Sequence, residues 1–392
     1  MRSPFLKIIL AASLVLTAFD NAQAGVAVIY TDSATGAVTD ISGHHIFAQI
    51  QNTFDAHPDP FTLQVFGHTF TVDSLGGSGA NVTSLVFHSA ELGINKILTG
   101  TNTDSTSDAL RLYLKSAAFQ GPFYALLNTS GGGATYSGTP YGTVDSVGHT
   151  ALTSVLTPPL ETAEEKDNAS QLNSINVGVG FDSFDNQGFS GTDYKVSPAY
   201  TWKLGAKKDN DLNLTVPLEQ ISIEGVRSYR AGAILQLMHP FYLPDEFVLK
   251  VGPDLSYSFL ASIDIPGMMT GTIGGGLTSV LSRDWGPYFG DIGLFYGRFQ
   301  DLGGIPTDLK ANSYSAGLQV GCHIAKRWAV AVYDIGVNDD VNGISAKNYT
   351  LLGGSVAYRI YKSFNLQLSV NRTFGIPGFR DTTTNLGSAW NF

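Results

Sequence analysis

This chain has little of what usually ties a folded protein together covalently. Among 392 residues there is one cysteine, Cys322, so no disulfide can form within the molecule. After the first two dozen residues no apolar run is long enough to cross a membrane as a helix, which excludes a helical membrane protein. Only 14% of the residues are charged and the mean hydropathy is +0.06. A chain built from membrane helices is greasier than that.

Charge of one sign is also missing where nucleic acid would need it. Residues 25 to 169 hold 13 acidic and 4 basic side chains, and residues 170 to 392 hold 19 and 17. Neither half carries a basic stripe, so nucleic acid is excluded as a partner. His44, His45, His57, His68 and His88 fall in one region, yet without the spacing of a metal site, so no metal or other cofactor is expected. Gly76-Gly77-Ser78-Gly79 lacks the lysine and the further glycine of a phosphate loop and reads as a turn. A serine hydrolase would need His88 with Ser89, or His239 with Ser228, brought together by a fold that the spacing does not reveal. A triad is recognised by geometry rather than by sequence position. No catalytic residue is assigned, and the chain is read as a non-enzyme.

What the chain does have is alternation. Tyr194, Val196, Pro198, Tyr200, Trp202 and Leu204 alternate with Asp193, Lys195, Ser197, Thr201 and Lys203. Phe247, Leu249, Val251, Leu255, Tyr257 and Phe259 repeat the pattern, as do Tyr314, Ala316, Leu318, Val320 and Cys322. Phe364, Leu366, Leu368 and Val370 follow it again, and Ile175, Val177, Val179 and Phe181 begin it. Successive side chains of a strand point to opposite faces, so each segment has one greasy and one wet face. The segments run to about ten residues or more, beyond the usual soluble strand of about five to six. That length suits a tilted strand crossing a bilayer. A soluble sandwich is the alternative; aromatic residues near segment ends (Trp202, Tyr242, Trp285, Tyr288, Trp328, Tyr349, Tyr361, Trp390) favour the membrane.

The expected fold is therefore all-β: a transmembrane antiparallel barrel of about 12 strands, preceded by a small α+β domain. Strands are expected near 171–184, 190–204, 211–224, 228–239, 246–260, 267–282, 286–299, 312–324, 327–337, 346–360, 362–374 and 383–392. Residues 1–24 read as a signal peptide, with Arg2 and Lys7 around an apolar run and a cleavage motif at Ala22-Gln23-Ala24. Residues 25–157 read as the amino-terminal domain or plug, 158–169 as a linker after Pro158-Pro159, and 170–392 as the barrel. Within the amino-terminal part we expect a strand at Val26 to Tyr30, a short helix from His45 to Phe54, and a hairpin of Phe61–Val65 with Thr69–Val72. A further strand is expected over Asn81–Phe87, then a helix capped by Ser105 or Ser107 and stopped at Gly121-Pro122. The linker is either a solvated tether or a short helix inside the pore.

If the parity holds, Asp182, Lys195, Lys203, Lys250, Asp254, Asp291, Arg298, His323 and Arg359 face the lumen. Such residues either set the selectivity of a channel for small polar solutes or pair with one another in a closed interior.

A signal peptide, about twelve amphipathic strands and a terminal phenylalanine together resemble the bacterial outer-membrane β-barrel proteins. Leu386, Trp390 and Phe392 share one face of the last strand and look like the assembly signal of that group. The resemblance implies insertion by the barrel-assembly machinery into the outer membrane of a Gram-negative envelope, among lipid and lipopolysaccharide. An exported amino-terminal part followed by a terminal barrel also looks like an autotransporter, which implies surface display of residues 25–160. Here the passenger would be short, without visible repeats, and followed by a diproline. The functions in view are a porin-like channel with an amino-terminal plug or gate, an autotransporter-like adhesin, and an outer-membrane lipid hydrolase.

Overall fold

A computed structural model describes residues 28–32, 36–40, 60–65, 68–77, 81–114, 116, 118–119, 150, 152, 156 and most of 172–392. The signal segment, the helix expected at His45–Phe54 and the linker 158–169 lie outside the described residues.

Six strands form the amino-terminal sheet: β1 (Val28–Asp32), β2 (Val38–Asp40), β3 (Phe61–Val65), β4 (His68–Gly76), β5 (Ser84–Ser89) and β6 (Ile94–Thr99). Their order is β2-β1-β3-β4-β5-β6, with every neighbouring pair antiparallel. The β3–β4 hairpin turns after Val65, which pairs with His68. Gly77 ends β4 with a φ of +83°, and a Cβ there would sit 1.9 Å from the Asn81 carbonyl oxygen. Only glycine fits that turn.

Helix α1 (Thr103–Leu114) packs against this sheet. Its cap is Asn102, one turn earlier than the sequence suggested. The Asn102 side-chain oxygen accepts from the Ser105 amide at 2.9 Å, while Ser105 Oγ accepts from the Asn102 amide at 3.1 Å. This is a capping box in which a serine replaces the usual Glu or Gln. Leu110 and Leu114 are buried, and Phe70, Phe87, Tyr113 and Phe119 form a ring cluster with centroids 5.4 to 6.1 Å apart.

The barrel strands are β7 (Ser174–Asn186), β8 (Phe189–Leu204), β9 (Asn210–Thr215), β10 (Leu218–Ile223), β11 (Val226–Tyr242), β12 (Phe247–Ser262), β13 (Met269–Trp285), β14 (Tyr288–Asp301), β15 (Lys310–Ala325), β16 (Trp328–Val341), β17 (Ile344–Tyr361), β18 (Phe364–Phe374) and β19 (Phe379–Asn391). β9 and β10 are one strand interrupted at Val216-Pro217, since β8 and β11 each pair with both. The Val216 amide still bonds the Pro198 carbonyl, and Pro217 accepts from Gly232, so the ladder bridges the break. β19 pairs with β7 from Phe379↔Asn186 to Asn391↔Ser174, closing a barrel of 12 strands with no free edge.

Closure satisfies every strand edge, as a bilayer demands. The outer wall is apolar: Leu255, Leu277, Ile292, Leu294, Leu318, Val332 and Leu352 are each more than half exposed or at that limit. Both ends of the β7–β19 unit lie at one mouth, here called proximal; the opposite mouth is distal. All four tryptophans, Trp202, Trp285, Trp328 and Trp390, stand on proximal strand ends. Tyr257, Tyr296, Tyr314 and Phe374 make a second exposed aromatic belt nearer the distal mouth. Eight residues separate Tyr288 from Tyr296, roughly 20 Å of height at the usual rise and tilt. Two aromatic girdles around an apolar band on a closed antiparallel barrel identify an outer-membrane β-barrel. Tyr349 is a correction to the girdle read from sequence: it is 3% exposed and points inward near the distal mouth.

Candidate functional site in the barrel lumen

The inner wall is the polar parity, and it is densely paired. Glu219 on β10 binds Lys195 of β8 at 3.2 Å and is bonded to Arg230 of β11. Cross-strand register puts these three in one row, which is why they meet. Asp211 of β9 holds Lys203 at 2.6 Å and Lys250 at 3.2 Å. Asp254 accepts from Thr278 Oγ1 at 2.5 Å, Asp182 from Thr383 Oγ1 at 2.7 Å, and Asp381 from both the amide and the hydroxyl of Thr373 at 2.6 Å. Asp182 also faces Asp193 across β7–β8.

Of the residues assigned inward from sequence, Asp182, Lys195, Lys203, Lys250, Asp254 and Asp291 stand on inward positions. His323 is inward as well, its ring 5.3 Å from that of buried Phe289, and Arg359 donates to the Lys326 carbonyl at 2.7 Å. Arg298 does not join them. It is exposed on the outer face of β14, because seven positions separate it from inward Asp291 and an odd spacing changes face. Leu386, Trp390 and Phe392 are all about half exposed on the outer wall, and the Phe392 amide bonds the Asn173 carbonyl at 2.9 Å, tying the chain end to the entry of β7.

The feature that sequence reasoning missed is a segment of the chain inside the barrel. Thr150, Leu152 and Leu156 are helical. Leu152 is 0% and Leu156 3% exposed, and both lie against Gly293 of β14 and Gly317 of β15. A Cβ on Gly317 would come within 2.6 Å of Leu156 Cδ1, and one on Gly293 within 2.9 Å of Leu152 Cδ1. The wall is hollowed at mid-height to accept these leucines. Thr150 Oγ1 accepts from Lys195 Nζ at 3.3 Å, so the same segment is tied to the ion network. The signal was present as a Leu152/Leu156 pair at helical spacing, but it sat in a Gly/Ser/Thr-rich stretch. The sequence reading placed its possible lumen helix later, at 158–169.

Toward the distal mouth the lumen becomes apolar. Phe184, Phe299, Val337, Tyr349 and Phe379 are buried there, and they belong to one continuous cluster with Leu152, Leu156 and the core of the amino-terminal sheet. The proximal lumen holds a separate small cluster of Phe289, Ala329, Ala331 and Ala357.

The hydrolase candidates do not assemble. His88 is exposed and Ser89 buried, on opposite faces of β5. His239 and Ser228 are 11 residues apart on β11, roughly 36 Å at strand rise. The His239 ring instead contacts Asn210 Oδ1 at 2.5 Å on the outside of the barrel. Among the described residues no three His, Cys, Asp or Glu side chains converge as a metal site.

No family model matches the chain, and no curated protein does. Among solved structures, the translocator domain of the autotransporter NalP from Neisseria meningitidis is similar at 12% identity and a TM-score of 0.43, covering 62% of this chain and 93% of that one. An outer membrane channel from Pseudomonas putida F1 is similar at 11% identity and a TM-score of 0.41, covering 56% and 96%. The KdgM porin is similar at 10% identity and a TM-score of 0.34, covering 55% and 99%. These resemblances are to barrels of both kinds, export domains and pores, and do not choose between them.

Proposed function

We propose that this outer-membrane barrel is an anchor that displays its own amino-terminal α+β domain at the cell surface, with the chain around residues 150–156 threaded through the lumen. The observation that carries this reading is the fit of Leu152 and Leu156 onto Gly293 and Gly317. A segment that enters β7 at the proximal mouth and packs at mid-height is on a path toward the distal mouth. The apolar distal lumen, continuous with the amino-terminal core, supports the same direction. In an even-stranded barrel the proximal mouth, with both ends of the barrel (the start of β7 and the end of β19), faces the periplasm, which leaves the distal mouth outside. The proposal contains no catalytic step and no cofactor. Leu386, Trp390 and Phe392 serve as the signal read by the assembly machinery.

The competing function is a pore for small polar solutes, gated by the same domain from the periplasm. Its support is the charged proximal lumen around Lys203, Lys250 and Asp211. Accessibility separates the two. Leu112 is 66% exposed on α1; in a Cys322→Ser background, Leu112→Cys should react with a membrane-impermeant maleimide on intact cells, and Lys326→Cys at a proximal turn should not. Labelling of Leu112→Cys only after permeabilisation would end the display reading. In planar bilayers, a chain beginning at Ser170 should conduct while the full mature chain stays closed.

A further inference from the structure

Asp334 stands where a carboxylate is least welcome. It is exposed on the outer face of β16, six residues from the proximal girdle at Trp328, and four short of Asn338, which pairs with Tyr314 of the distal belt. Its neighbours in the cross-strand row are Leu318 and Leu352, each about half exposed on the apolar wall. A charge at this depth is costly and marks a functional position unless something pairs with it. Among the described residues no ion pair or hydrogen bond holds Asp334.

The same row continues to Arg372. Leu352 pairs with Asp334 on one side and with Arg372 of β18 on the other. Arg372 is also exposed on the outer wall, its guanidinium lying 5.6 Å from the Phe374 ring centroid. One row thus presents an acid, a leucine and a base, with the strand β17 between the two charges. Beside it the wall is shallow: Ala316, Gly336 and Thr350 floor a groove of about 1000 Å³ edged by Tyr314 and Phe374. Small side chains let two backbones approach within a membrane.

We infer that this face of β16–β18 binds a second copy of the chain about a two-fold axis along the membrane normal near Leu352. Such an axis makes an isologous contact, in which residue i meets j and j meets i. It carries Asp334 of each protomer toward Arg372 of the other, so two ion pairs form where hydrocarbon would otherwise face an unpaired carboxylate on each copy. An anionic lipid would satisfy Arg372 and leave Asp334 exposed; a second copy satisfies both. The long arginine side chain spans the difference in height that strand tilt introduces between the two positions.

The test is self-association of the full mature chain refolded into lipid nanodiscs and bilayers, read by sedimentation and single-molecule photobleaching. Wild type should be dimeric. Asp334→Arg and Arg372→Asp should each be monomeric when alone, since each brings like charges together. Mixed with each other they should form a heterodimer, at least roughly tenfold favoured over either self-association, because all four charges then match across the interface. A mixture that stays monomeric, or single variants that dimerise like wild type, would overturn the proposal. So would a monomeric wild type, in which Arg372 would reach over Leu352 to its own Asp334. Should a charge variant fail to fold, Leu352→Cys with Cys322→Ser supplies the answer: mild oxidation should give a disulfide-linked dimer, and its absence rejects the axis.

Discussion

Gly317 shows how a single missing methyl group shapes the interior. Leu156 occupies the space that a side chain there would fill, so Leu156→Ala should cost about 2–5 kcal/mol as a buried leucine truncation, measured by urea unfolding of the refolded full chain. Gly317→Val should expel the segment instead, appearing as stepwise conductance from a chain otherwise closed. Tyr113 makes a prediction outside the membrane. Burial raises its pKa above the usual 10.0, because a desolvated phenol resists becoming phenolate. The folded state then holds its proton more tightly than the unfolded one. The resulting stability is whole below the ordinary phenol value and drains away as pH rises through the folded value. The difference between the phenolate absorbance titrations of wild type and Tyr113→Phe should be one tyrosine that ionises later than an exposed phenol. At this scale parity made most inward residues legible, since strand side chains alternate without exception over a regular run. Arg298 departs from that assignment because its odd separation from Asp291 puts the two on opposite faces of β14.

Capping, registers and breaks belong to the scale of elements. Ser105→Ala removes the oxygen that accepts from the Thr101 and Asn102 amides, and about 1 kcal/mol of α1 stability with it. Faster hydrogen exchange over 103–114 would register the loss. In the barrel, Glu219 sits between Lys195 and Arg230, with the Glu219 and Arg230 side chains 0% and 2% exposed. Glu219→Gln should therefore destabilise by roughly 3–5 kcal/mol, because it strands buried positive charge; a lower urea midpoint in refolded vesicles is the readout. Barrel strands were readable because each needs about ten alternating residues to cross the bilayer. The amino-terminal edges were not: β2 has three residues, and β6 buries only Ile94 and Leu98, too few to establish a period. Asn102 was passed over as the cap because Ser105 offers the same chemistry one turn later.

For the whole molecule, the terminal Phe392 separates assembly from stability. It lies on the outer wall and contributes one main-chain bond to Asn173, so deleting it should leave refolding in detergent nearly intact. In cells the same deletion should sharply reduce heat-modifiable barrel on gels if the terminal strand is the assembly signal proposed above. Equal losses in both settings would make Phe392 a purely structural residue. The fold of the larger domain was written in a period of two, while the occupant of its lumen was not, because two leucines against two glycines are too few to stand out in a Gly/Ser/Thr-rich stretch.

The seam between β7 and β19 has a mechanical meaning on the display reading. On that reading a load applied to the outer domain first draws Leu152 and Leu156 against their glycine hollows. Beyond that it pulls on a strand bonded along its full length to both β8 and β19. Force along a strand loads all those bonds in shear at once rather than unzipping them singly. A knot in a rope behind a ring resists in the same way, and cells could be held by such a tether without any covalent link to the wall.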